Sequence, residues 1–164
     1  MKKTSDEWTS PEELLTQLRQ QLENNEFFTQ VTQDSGIIYA LVEDSVPVLI
    51  NFVPYRQTKE DEYILQIYFT LGKLHTTNIP LLVSRLDELK PHILLGRLCI
   101  LPGHEIGYTH RMPIKISATE QAAANFQRSV HLMLLFLLSF LPYVRILAKN
   151  PESITLEQYL EKEE

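Results

Sequence analysis

Residues 130–148, VHLMLLFLLSFLPYVRILA, are the most apolar run of the chain, and their reading decides how everything else must be arranged. The run lies far from Met1, so it is no signal peptide. A membrane span needs roughly 20 apolar residues, and His131, Ser139, Pro142 and Arg145 interrupt this one. The expectation is a helix covered by protein, with no membrane span. Over 132–138 every residue is apolar, which leaves no polar side on those turns. One side then packs on a sheet, and the other meets a further helix, a second copy or a cargo protein. His131, Leu134, Leu135, Leu138 and Leu141 are the candidate dimer or partner residues. An exposed row of this kind is an aggregation hazard unless something covers it.

Working outward, Ser117 with Glu120 makes a capping box at the start of this helix, and Asn150-Pro151 ends it. Pro142 is expected to kink or break it. Upstream, residues 105–116 alternate as a strand, with Ile106, Tyr108, His110, Met112 and Ile114 on one face. Pro113 makes it an edge strand or marks where pairing ends. A tight link at Pro102-Gly103-His104 joins it to a strand at 95–101. Before that, Ile79, Leu82, Val83, Leu86 and Leu89 predict a helix capped by Thr77 or Asn78 and stopped by Pro91.

The first half reads as a helix and then strands. Ser10, Pro11 and Glu13 open an amphipathic helix over 11–24, with Leu14, Leu15, Leu18 and Leu22 on one face. Strands follow at 27–31, 37–42, 46–53 and 63–71, with turns at Asp34-Ser35-Gly36 and Glu43-Asp44-Ser45. The charged stretch 56–62 is expected to be a solvated loop. The fold class is α+β with a mostly antiparallel sheet, in the order α-β-β-β-(β)-α-β-β-α. Residues 1–150 form one domain. Residues 151–164 form a short acidic tail in which Thr155 caps a last helix and the EKEE end frays.

The formal charge of −6 with pI near 5.4 argues against a nucleic-acid partner, which basic residues would have to hold. The single Cys99 excludes an internal disulfide, and the segment MKKTSDEW leads into no apolar stretch, so a cytoplasmic protein is expected. No nucleophile elbow, phosphate loop or zinc spacing occurs. The five histidines match no metal pattern, and pairs such as Asp87-Glu88 fall on helix surfaces. No cofactor, metal or catalytic residue is expected. His131, set in the apolar helix, makes assembly pH-sensitive if it faces a partner. One polar-aromatic cluster stands out, Tyr108, His110 and Arg111. The Arg111 guanidinium is a planar fork suited to a carboxylate or phosphate.

The segment GRLCILPGHEIGYTHRMPI (96–114) has a glycine opening a strand, a tight hairpin, and a second strand carrying Tyr108 and Arg111. A long apolar helix follows from Ser117. In this and in its order of elements the chain resembles the YbjN-like family, within the wider type III secretion chaperone-like fold, and in particular its uncharacterised cyanobacterial members. The resemblance covers about 11–150 and carries no catalytic motif. It implies a small cytosolic homodimer that binds a segment of another protein. The alternative is a small-ligand-binding regulator or small enzyme, with a pocket between the long helix and the sheet near Tyr108 and Arg111.

Overall fold

Apolar alternation gives strands and leucine periodicity gives helices, in the order α1 (Pro11–Glu23), β1 (Phe28–Asp34), β2 (Ile37–Val42), β3 (Val46–Lys59), β4 (Glu62–Lys73), α2 (Ile79–Asp87), β5 (Arg97–Leu101), β6 (Glu105–Lys115), α3 (Thr119–Lys149) and α4 (Leu156–Glu163). A short 3₁₀ turn lies at Lys90–His92. The computed structural model describes residues 10–59 and 61–163, without the side chains of 54–59. The readings made on MKKTSDEW and on Glu164 of the tail lie outside the described residues. The six strands make one antiparallel sheet, ordered β1-β2-β3-β4-β6-β5, so the α+β expectation holds.

Local chemistry sets the connections. Ser10 accepts the Glu13 amide at 3.3 Å and opens α1, whose four predicted leucines are all buried. Asn78 accepts the Leu81 amide and opens α2. Ser35 and Gly36 both take positive φ, 48° and 82°, which is the two-residue turn that matches strand twist between β1 and β2. At Pro102-Gly103-His104 the Leu101 carbonyl accepts the His104 amide at 3.1 Å, and His104 takes φ 56°. That is the three-residue hairpin with a left-handed last residue.

Five expectations are corrected. The stretch 56–62 is no loop: β3 continues to Lys59 and pairs Gln57 with Tyr63 and Lys59 with Glu62. The register shift between Phe52 and Gln57 accommodates Pro54, which has no amide hydrogen for the ladder. β6 is not an edge strand, since it lies between β4 and β5. Pro113 does not mark the end of pairing either: pairing with β5 already ends at Thr109, and beyond the proline the Ile116 amide still donates to the Asp61 carbonyl at 3.0 Å, where β4 begins. Val83 is 42 % exposed and does not share the buried side of Leu82 and Leu86. Ser117 does not cap α3; its hydroxyl donates to the Asp61 carboxylate, and α3 begins at Thr119 with Ala122 N bonded to Ala118 O. At Pro142, the expected site of a kink or a break, there is no break: α3 runs through it for 31 residues.

The chain divides into two compact units, Met1–Phe69 with His110–Val130, and Thr70–Thr109 with His131–Glu164. The core of the first is Leu14, Leu15, Leu18, Ile38, Ile50, Leu65, Ile67 and Phe126, all at most 1 % exposed. The second is built on rings. Tyr108 packs on Phe136 (centroids 5.1 Å apart), Phe136 stacks on Phe140 (5.3 Å), and Phe140 meets His92 (4.9 Å) and Tyr159 (6.3 Å). Tyr159 in turn packs on Tyr143 at 5.0 Å.

Candidate interaction surface

α3 owes its place to its inner side. In the second unit Met133, Leu134, Phe136, Leu137, Phe140, Tyr143, Val144, Leu147 and Ala148 are buried. Each fully covered large apolar side chain contributes about 1.5–3 kcal/mol. The helix is long and apolar enough to cross a membrane by length and composition, yet half of its most apolar window is buried within the protein.

Pro142 leaves the Leu138 carbonyl without its helical donor, because proline has no amide hydrogen. Leu138 is 52 % exposed, on the solvent side where helix carbonyls tilt outward. The next carbonyl, Ser139, accepts the Tyr159 hydroxyl of α4 at 2.7 Å. α4 therefore docks beside the proline. Thr155 opens it by accepting the Gln158 amide, and Gln158 returns a bond to the Thr155 amide.

The outer side of α3 is an apolar strip. Leu135 is 41 % exposed, Leu138 52 % and Ile146 36 %, with Pro142 and His131 also exposed. At 3.6 residues per turn, 131, 135, 138, 142, 145, 146 and 149 fall within an arc of about 100°. Of the five residues expected to face a partner, His131, Leu135 and Leu138 lie on this strip and Leu141 is half-buried beside it. Leu134, only 4 % exposed, belongs to the core and is corrected out of the surface.

Tyr108, His110 and Arg111 differ in exposure. Tyr108 is fully buried, and its hydroxyl donates to the Leu95 carbonyl. Burial pushes its phenol pKa well up, so it stays a neutral donor. His110 is half-buried, and desolvation holds its imidazole pKa below the ordinary value. Arg111 is exposed and donates from Nε to Gln66 Oε1 at 3.0 Å. Burial raises the Cys99 thiol pKa against the opposing pull of Arg97, which makes it a poor nucleophile.

Compared with known proteins, no family model matches the chain and no curated protein matches it. Among the described residues no group of three His, Cys, Asp or Glu side chains is placed to hold a metal ion. A cavity of about 260 Å³ lies where β6 runs into α3, beside Glu62, Pro113, Lys115, Ala118 and Gln121. It is smaller than the roughly 300–1,000 Å³ of ordinary ligand pockets and touches neither Tyr108 nor Arg111.

Ile146, Leu94 and Leu160 are exposed apolar positions that the sequence reading did not single out. For Ile146 the signal was present. His131, Arg145 and Lys149 mark the outer side of α3, and Ile146 falls among them once the helix is carried past Pro142.

Proposed function

We propose that the chain is a non-enzymatic, chaperone-like protein-interaction module that works as a homodimer and binds a segment of another protein. The observation that carries this reading is the exposed strip of Leu135, Leu138 and Ile146 on a helix whose other side is core. Such rows mark interaction sites, because leaving them in water forgoes the burial energy and invites aggregation. The resemblance of 96–114 and of the element order to the secretion chaperone-like fold points the same way. Half-burial of the apolar helix within the protein favours a core helix over a membrane span.

Sedimentation velocity on the whole chain tests the dimer. The wild type is expected to sediment as a dimer at micromolar concentration, and Leu138→Glu as a monomer with an unchanged circular dichroism spectrum. A wild type that stays monomeric across that range overturns the reading.

A further inference from the structure

We infer that the outer strip of α3 is covered by α4 of a second copy of this chain, each protomer giving its α4 to the other's α3. The inference rests on the homodimer reading and names the contact that makes it. Charge carries it. From Gln121 to Asn150 the sequence has no Asp or Glu, and Arg128, Arg145 and Lys149 are its formal charges. The strip of the second unit is thus apolar at its centre and basic at its border, in a chain whose net charge is −6. Two α3 helices laid against each other antiparallel about Leu138 would set Arg128 of each beside Lys149 of the other, and like charges across an interface are unfavourable.

α4 supplies the complement. Glu157, Leu160 and Glu161 are all exposed, with Leu160 at 38 %, and the spacing i, i+3, i+4 puts them on one side of the helix. Tyr159 lies on the opposite side, held by its hydroxyl on the Ser139 carbonyl and by its ring on Phe140 and Tyr143. The acidic, apolar side is therefore turned outward by a fixed anchor. Among the described residues Arg145, Lys149, Glu157 and Glu161 make no ion pair within the protomer, so both partners are available. A two-fold arrangement uses each strip and each α4 once, which is the self-complementary logic of an isologous dimer.

The test is charge reversal on the full chain, read by sedimentation equilibrium. One variant carries Arg145→Glu and Lys149→Glu; the other carries Glu157→Lys and Glu161→Lys. Each alone is expected to self-associate at least about tenfold more weakly than wild type, and their equimolar mixture to recover near wild-type affinity as a heterodimer. If the α4 variant dimerises like wild type while Leu138→Glu does not, the strips pair with each other and this assignment is overturned with the dimer intact. A wild type that is monomeric, whether it stays free or binds anionic vesicles, overturns both the assignment and the dimer.

Discussion

In the unit built on α1 and the first strands, Tyr39 is the one exposed large hydrophobic side chain among the described residues; in the other unit there are six, Val83, Leu94, Leu135, Leu138, Ile146 and Leu160. The sheet edges differ in the same sense. β1 carries a bulge, with Gln30 at φ 51° and a register shift between Thr29 and Thr32, and shows Thr and Gln to solvent. Bulges and polar residues of this kind discourage a sheet edge from pairing with another chain. β5 is short and, after Arg97, apolar. The first unit is finished as a surface. The second keeps a solid ring core and carries exposed apolar side chains on its outer side. The contrast shows that exposed apolar residues here are not a sign of loose packing, since the same helix that carries them also carries Phe136, Phe140 and Tyr143.

The sharpest way to break that contrast is to attack the ring core. Phe136 touches both Tyr108 and Phe140. Phe136→Ala is expected to cost about 3–5 kcal/mol in urea unfolding, as for aromatic truncations in close-packed cores. Leu18→Ala in the first unit should cost about 2–5 kcal/mol. A Phe136→Ala loss under about 1 kcal/mol would mean that the second unit is not a packed core and that its exposed residues reflect poor order instead.

The next effect runs in the opposite direction. A proline inside a helix is unfavourable by about 3 kcal/mol relative to alanine, and Pro142 is exposed, so nothing packs the ring from outside. Pro142→Ala is expected to stabilise the fold, because it returns an amide donor to the Leu138 carbonyl. Tyr159→Phe alone removes about 1 kcal/mol of hydrogen bonding, and because its hydroxyl meets the Ser139 carbonyl and not that of Leu138, the gain from Pro142→Ala should be the same with it in place. Thermal unfolding of the four proteins measures this. Unequal gains in the two backgrounds would show that the proline and the phenol are coupled.

That pair also shows where the sequence was legible. α1, α2 and most strands could be read from caps and periodicity, because Ser10, Asn78 and the alternating residues of β4 act locally. The continuity of α3 could not. Proline's local cost predicts a kink or a break, and burial along the inner side outweighs the break. The same reason hid the pairing at 57–63, where a bulge carries Pro54 past the ladder. For the candidate surface, the leucines of α3 were visible but their orientation was not. Leu134 and Leu135 differ by one position, and only carrying the helix through Pro142 shows that His131, Arg145 and Lys149 lie on the side of Leu135. Tyr108 misled for a related reason, since a tyrosine beside an arginine looks like a binding pair until its hydroxyl is found on the Leu95 carbonyl.

The smallest expected effect belongs to His110, half-buried in the first unit. Desolvation holds its imidazole below the ordinary value of 6.5, so the unfolded chain binds this proton more readily than the folded one. Its contribution is fully present above that ordinary value and is lost as pH falls through it towards the lower folded value. The first unit should therefore lose stability on mild acidification, and His110→Gln should remove that part of the slope. Urea midpoints at about pH 7.5 and about pH 5 for both proteins give the comparison. His110 is the one group that differs between the two proteins, so the difference isolates it. An identical drop in both would show that the imidazole sits in water, and that the finished surface of the first unit is more open around β6 than its buried neighbours Met112 and Ile114 imply.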